Sequence, residues 1–418
     1  MTVNADYPAS WREKIQNELR FSVANGLPGA VIAAHCKGRP VLFEAHGQQR
    51  RYNETALMPT PEPMRADTLF DLASLTKIFS TTLALMHLVD VGAVSIDAPV
   101  SHYLPTFAGG SKAKVTVRHL LQHRSGLPSS FHFYDPKQVP AAFYSQSRTQ
   151  TCWLLPLVPL RHEPDSVTLY SDVGFAMLGL IIETVTGVTQ DAYVHEHIYA
   201  PLGLHDTGYK MCERGVDRNR FEATERCGNT RDGHVWFPNI RTHTLQGEVH
   251  DEMAYYAMGQ VSGHAGLFST AADLSVLSQL LLNGGSLGDY RLCSAQTVQL
   301  FTQTLNADAT YALGFQVPTA STQLIYGVLL PAAGNAVAHT GWTGKCVVLD
   351  FTHQSIFLLL TNKKHSPVLA LPNGDRNHFA GDLLPSALYG GTVQLFYAGL
   401  MAAQDARLEA ADTTSECV

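Results

Sequence analysis

Ser74 and Lys77 stand three residues apart in the stretch from Asp71 to Gly92, DLASLTKIFSTTLALMHLVDVG. Residues at i and i+3 share a helix face, so the hydroxyl and the amine are neighbours. A serine hydroxyl is a poor nucleophile without a base beside it. A lysine becomes that base when burial, nearby positive charge and the positive end of a helix favour its neutral form. A serine in the first turn also places its own backbone N–H next to the reacting carbonyl, where an oxyanion donor is needed. The pattern S-x-x-K is unspecific alone, and Ser111-Lys112-Ala113-Lys114 matches it equally well. That second copy follows Gly109-Gly110 and reads as an exposed loop with solvated lysines, whereas Ser74 opens a long apolar segment.

Other residues compete for chemical roles. Gly284-Gly285-Ser286-Leu287-Gly288 fits G-x-S-x-G, but that elbow needs a strand before the serine and a helix after it. Here a helix precedes and DYRL follows, so the segment reads as a helix-ending loop. Tyr170-Ser171-Asp172 precedes an apolar run; Asp172 reads as a helix N-cap, and a phenol at the positive end of a helix has its anion favoured. His339-Thr340-Gly341-Trp342-Thr343-Gly344 leads into the strand-like CVVLDF, with small residues that let a ligand approach a strand edge. His195 and His197 point apart on a helix, and His250-Asp251-Glu252 and His264 read as scattered polar residues without ligand spacing. No metal and no cofactor are expected.

The elements that position these residues follow from apolar patterning. GAVIAAHC (29–36) and VLFEA (41–45) predict one hairpin; CVVLDF (346–351) and IFLLLT (356–361) predict another. Helices are expected at 74–91, with Ile78, Leu85, Met86 and Val89 on its apolar stripe, at 173–186 with Gly187 as a stop, at about 271–282 with Thr270 and Asp273 as a capping pair, and near 385–403. Residues 212–250 lack periodicity and read as a surface excursion. The simplest architecture is one mixed sheet from both chain ends carrying a large helical insertion.

With 418 residues, 45% hydrophobic and 16% charged, the chain can bury a large core. A formal charge of −7 without a dense basic run argues against nucleic acid. No signal peptide and no membrane span are read, and seven scattered cysteines without C-x-x-C spacing suggest a reduced, cytoplasmic chain. A periplasmic location is the alternative if an export signal precedes the sequence given. Oligomeric state is left open.

SLTK (74–77), YSD (170–172) and HTG (339–341) occur in one order, and together they resemble the serine β-lactamase and penicillin-binding-protein superfamily, in its class C-like peptidase branch. LLQHRSGLP (120–128), PLGLHDTGY (201–209) and SGHAGLFSTAADL (262–274) extend the resemblance over nearly the whole chain. It implies an α+β fold of the β-lactamase/transpeptidase-like type: an antiparallel sheet flanked by helices, built from 1–72 and 255–418, and a mostly helical domain over 73–254. It also implies roles. Ser74 is the acylated nucleophile, Lys77 takes its proton, Tyr170 acts across the site as partner base and then acid, and His339 stands where many relatives carry lysine. Thr340, Gly341 and Asp172 flank the substrate, and the backbone N–H groups of Ser74 and Trp342 hold the oxyanion. Lys77 and Tyr170 are expected to titrate as a coupled pair.

The expected activity is that of a serine hydrolase working through an acyl-enzyme, of the D-alanyl-D-alanine carboxypeptidase kind, on short peptides or other small substrates. A carboxylesterase or transacylase on the same machinery is the alternative, and a catalytically silent binding module a third class. Two departures bear on the site. Asp172 replaces a common asparagine; turned inward, its carboxylate would hold Lys77 protonated. His339 is neutral above about pH 6.5 and anchors a substrate carboxylate less firmly than lysine. No dedicated base for deacylation is identifiable from the sequence.

Overall fold

Apolar runs without polar alternation belong to strands covered on both faces, and each chain end supplies such runs. A computed structural model gives the architecture and describes residues 9–304, 309–330 and 336–415. Strands β1 (Gly29–Cys36), β2 (Arg39–Asn53) and β3 (Ala56–Pro63) come from one end, and β4 (Ala336–Gly341), β5 (Lys345–Asp350) and β6 (Ser355–Thr361) from the other. They form one antiparallel sheet in the order β4-β5-β6-β1-β2-β3. The two ends meet at β1 and β6, from Ala30 opposite Thr361 to Cys36 opposite Ser355.

The helices that bear on the site are α1 (Ala9–Ala24), α2 (Leu83–Asp90), α3 (Asp172–Thr186), α4 (Ala271–Leu282) and α5 (Gly390–Ser415). Successive side chains of a strand face opposite sides, and two cores result. Ala30, Ile32, Phe357 and Leu359 pack with Trp11 and Leu19 of α1 and Phe396 of α5. Val31, Ala33, Leu358 and Leu360 pack with Leu274 and Leu277 of α4, and that cluster continues through α2 and α3. The sheet and the helices around the nucleophile therefore share one apolar core.

Several boundaries differ from expectation. The helix over 74–91 is three pieces: a 3₁₀ turn at Ala73–Leu75, a π-helix at Lys77–Thr82, and α2. The C-terminal helix is broken at Tyr389, whose φ is +63°, between a short turn at Pro385–Leu388 and α5. Asp172 is not the N-cap of α3. Ser171 is, its Oγ accepting from Gly174 N–H at 3.0 Å, which frees the aspartate.

The surface excursion expected over 212–250 is a misreading. Phe221, Glu222, Glu225, Arg231, Val249 and His250 are all buried. Periodicity assigns polar residues to solvent, but here they are buried in pairs. Arg231 bonds Glu225 at 2.6 Å and Glu252 at 2.8 Å, and His250 Nε2 meets Glu225 at 2.8 Å. A buried charge is tolerated once it is paired and hydrogen-bonded. Among the described residues, no single helix is long and apolar enough to cross a membrane. Cys417 lies outside them; the other six cysteines are free.

Candidate active site

The nucleophile turn is held from three directions. Phe70–Asp71 pairs with Leu267–Ser269, so the residues before Ser74 are bound to those just after His264. Asp71 is buried; its Oδ1 accepts from Ala73 N–H at 2.9 Å and its Oδ2 from His250 N–H at 2.6 Å. It thereby fixes Ala73 at φ +45°, a conformation that costs a non-glycine residue about 1–3 kcal/mol. From the third side comes the end of β4. A Cβ on Gly341 would stand 2.5 Å from the carbonyl oxygen of Leu72, and Thr343 Oγ1 donates to the carbonyl of Asp71 at 2.8 Å. The glycine of His339-Thr340-Gly341 is there because strand and turn touch.

Lys77 Nζ lies 2.9 Å from Ser74 Oγ, 2.7 Å from Asp172 Oδ1 and 3.3 Å from the carbonyl oxygen of His264. Its side chain is fully buried, so the three contacts stand in for water. Asp172 opens α3, where the helix dipole favours a carboxylate. The aspartate is turned inward, onto the lysine, as the sequence reading allowed.

Tyr170 flanks the same amine. Lys77 Nζ sits 4.7 Å from its ring centroid, and the rings of His123, His339 and Tyr311 surround it at 4.5, 6.0 and 6.2 Å. Burial, reinforced by the Asp172 charge, pushes the phenol well above its usual range, and a hydrogen bond with Ser74 offsets only part of this. The expectation that the helix end favours a phenolate is therefore wrong: desolvation outweighs the dipole, and Tyr170 is a neutral phenol.

Both neighbouring imidazoles are neutral. His339 Nδ1 lies 2.7 Å from the Thr340 carbonyl, which can only accept, so Nδ1 carries the proton and Nε2, buried and unpartnered, does not. Burial, and then the Lys77 charge, lowers its pKa to about 3. His123 Nδ1 accepts from Ser171 N–H at 3.0 Å, and burial holds that ring well below its usual pKa. Against Lys77 stands a further pair, in which His264 Nε2 meets Asp251 Oδ1 at 2.9 Å and His264 Nδ1 meets Ser262 Oγ at 2.7 Å. The residues read as scattered, His250, Asp251, Glu252 and His264, are thus gathered at the site by hydrogen bonds and by the Arg231–Glu252 ion pair. Among the described residues, no cluster of metal-ligating side chains occurs.

Two cavities meet at Ser74, Tyr170, Trp342 and Asn377. One, about 460 Å³, is lined by Asp172, Asp251, Glu252, Arg231, Tyr134 and Phe237. The other, about 740 Å³, is lined by His339, Thr340, Gly341, Lys363, Lys364 and Asp382. All eight predicted site residues lie in or against this cleft. The alternative serines do not: Ser111 bonds Glu163 on the surface, and Ser286 sits in a two-residue strand paired with Tyr290–Arg291. Lys112, expected to be solvated, is tied to the carbonyl of Pro156 at 2.7 Å. Sequence reasoning assigned no role to Asp71, His123, Asp251, His264 or Tyr311. The one signal for His264 is its setting, S-G-H-A-G, where glycines mark close backbone approach: a Cβ on Gly263 would lie 2.0 Å from the Phe175 carbonyl oxygen of α3.

The chain is similar to known proteins in sequence and in fold. A protein named "N-acetylmuramyl-L-alanine amidase" from Bacillus subtilis (strain 168) is 41% identical over 400 residues, covering 94% of this chain and 90% of the relative. One named "Putative D-alanyl-D-alanine carboxypeptidase" from Escherichia coli (strain K12) is 43% identical over 382 residues, covering 90% of this chain and 87% of the relative. The solved structure titled "EstCE1, a hydrolase with promiscuous acyltransferase activity" matches with a TM-score of 0.68 at 22% identity, over 93% of this chain and 99% of that one, a likeness of fold. The family model described as Beta-lactamase matches residues 12–381. The chain belongs to the Beta-lactamase family, a family of serine hydrolases.

Proposed function

We propose that the chain cleaves amide bonds of peptidoglycan-derived peptides through an acyl-enzyme on Ser74, in the manner of a D-alanyl-D-alanine carboxypeptidase. The observation that carries this reading is the contact chain Ser74 Oγ–Lys77 Nζ–Asp172 Oδ1, at 2.9 and 2.7 Å. Ser74 attacks the carbonyl while its proton passes to Lys77 Nζ, and Asp172 stabilises the ammonium that forms. Tyr170, a neutral phenol, serves as the donor to the departing amine rather than as the first base. The backbone N–H groups of Ser74 and Trp342 take the oxyanion. In this reading the site lies between a mixed domain (1–72, 255–418) and a helical one (73–254), and the substrate is a small molecule or short peptide.

A second reading concerns which bond is cut. His339 is neutral, so the third motif offers no cation to a terminal D-alanine carboxylate. The 460 Å³ cavity combines aromatic surface with hydroxyl, amide and charged groups, which suits a polar saccharide. A relative named as an N-acetylmuramyl-L-alanine amidase covers most of this chain. This favours the amide between a muramyl group and the first residue of its peptide.

One experiment addresses both. A fluorescent penicillin and a fluorophosphonate are expected to label Ser74, identified by mass spectrometry, and not the Ser74→Ala protein. With an N-acetylmuramyl-pentapeptide, loss of one alanine supports the first reading and release of the intact peptide the second. Turnover confined to simple esters would move the assignment to a carboxylesterase or transacylase. Hydrolysis by Ser74→Ala at the wild-type rate would end the acyl-enzyme reading.

A further inference from the structure

An acyl-enzyme is useful to a hydrolase only if water can release it, and water is a weak, unoriented nucleophile. The groups around Ser74 divide unevenly for that task. Tyr170 is a neutral phenol enclosed by rings, and His339 and His123 are neutral imidazoles with no partner for Nε2. Lys77 can receive a proton but does not reach into the open cavity, because its amine is fully buried beneath Ser74. A group on the open side is therefore needed to hold the water.

Asp251 has the geometry for it. Its Oδ1 accepts two hydrogen bonds, from Ala254 N–H at 2.7 Å and from His264 Nε2 at 2.9 Å. Its Oδ2 has no protein partner among the described residues, and the side chain is 30% exposed, in the cavity that Ser74, Tyr170 and Asp172 also line. Asp172 and Glu252 line that cavity too, but each is already bonded to a basic side chain, Lys77 at 2.7 Å and Arg231 at 2.8 Å. His264 is buried at 1% exposure and locked through Nδ1 to Ser262 Oγ. Its carbonyl accepts from Lys77 Nζ, so one residue fixes both the carboxylate and the amine. Gly263 brings this loop's backbone close against α3, where a Cβ would stand 2.0 Å from the Phe175 carbonyl oxygen.

We propose that Asp251, oriented by His264, holds the water that hydrolyses the acyl-enzyme. The inference rests on the acyl-enzyme reading above and adds a dedicated deacylation residue to it. Oδ2 accepts a hydrogen bond from one O–H of the water and aims its lone pair at the ester carbonyl. The water oxygen bonds to the carbonyl carbon, and the bond from that carbon to Ser74 Oγ breaks. The second water proton passes through the Tyr170 hydroxyl, which lines the same cavity, to Lys77 Nζ, which lost its own to the departing amine by the same route, and Lys77 returns a proton to Ser74 Oγ. Protons balance, and the enzyme is regenerated. Burial alone would raise the Asp251 pKa, but His264, the Ala254 N–H and Lys77 together hold it well below the carboxylate range. It is thus ionised at all working pH values and acts as a fixed acceptor rather than as a proton carrier.

The test separates acylation from deacylation with a nitrophenyl ester. Asp251→Asn keeps the shape and an acceptor toward His264 but turns an N–H toward the water. The expected result is a stoichiometric nitrophenol burst, a steady-state rate lower by about 10²–10³-fold, and an acyl adduct on Ser74 that accumulates by mass spectrometry. Hydroxylamine, a stronger nucleophile, is expected to restore release. His264→Gln leaves the carboxylate but removes its orienting ring, and a lengthening of adduct lifetime of about tenfold is expected. If burst and steady-state rates fall together in variants whose circular dichroism matches wild type, or if adduct lifetime is unchanged in both variants, Asp251 is not the water-holding residue. If wild type forms no adduct on Ser74, the acyl-enzyme reading fails and this inference falls with it.

Discussion

Asp172 Oδ1 lies 2.7 Å from Lys77 Nζ, and this contact, not the capping of α3, is what the aspartate does. The lysine is fully buried while the aspartate side chain is 29% exposed, so the pair sits at the cleft wall with the amine on the inside. The carboxylate that departs from the common second motif is therefore part of the nucleophile's surroundings.

Removing it leaves the buried Lys77 amine with only a hydroxyl and a carbonyl as partners. Asp172→Ala is expected to lower stability by about 1–3 kcal/mol, read as the midpoint of urea unfolding. Asp172→Asn keeps an acceptor and is expected to cost less than half of that. Equal losses in the two variants would show that charge has no part in holding Lys77.

Asp71 is the second lever, because it satisfies two buried backbone N–H groups at once. Asp71→Ala orphans both, at about 1–3 kcal/mol each. It also releases Ala73 from φ +45°, so Ser74 loses its fixed place. Labelling of Ser74 by a fluorophosphonate is expected to slow at least tenfold under conditions where circular dichroism shows the variant folded.

Acid sensitivity follows from four buried imidazoles. Burial lowers His35 to about 4 and His339 and His365 to about 3, and holds His123 well below its usual value. Unfolding returns each to about 6.5. The unfolded chain then binds more protons than the folded one, so this share of stability is complete above pH 6.5 and is lost as pH falls toward the folded values. Calorimetry at pH 5 in buffers of different ionisation enthalpy is expected to show uptake of about four protons by these rings on unfolding. Proton uptake near zero would contradict their neutral state.

Trp342 lines both cavities, is 45% exposed, and carries Lys364 Nζ 3.9 Å from its ring. Its backbone N–H and its indole make separable contributions. Trp342→Ala keeps the N–H and removes the ring, so KM is expected to rise about tenfold, worth about 1.4 kcal/mol of binding, with kcat reduced less. A collapse of kcat at unchanged KM would assign the ring to the transition state instead.

The sequence made the sheet and the nucleophile legible because both depend on local patterns. Uninterrupted apolar runs mark β1, β5 and β6, and Ser74 and Lys77 are linked by helix spacing alone. The second and third motifs became readable only through resemblance, since Tyr170 and His339 meet Lys77 by tertiary packing. What stayed hidden is polar and buried. His123, Asp251 and His264 look like solvent-facing residues in any pattern of apolar spacing, and the Arg231–Glu225–Glu252 cluster made 212–250 read as surface. The Tyr170 phenolate was misjudged for the same reason: a helix end can be read from a sequence, but the desolvation that overrides it depends on which rings close around the phenol.

The cleft has two chambers joined at Ser74, and that shape sets an order of events. The departing fragment can leave by one chamber while the acyl chain stays in the other. The emptied chamber is then open to any acceptor that fits it, so an amine or alcohol bound there competes with water for the same ester. The ratio of transfer to hydrolysis becomes a property of what fills that chamber, tunable from its walls without touching the nucleophile.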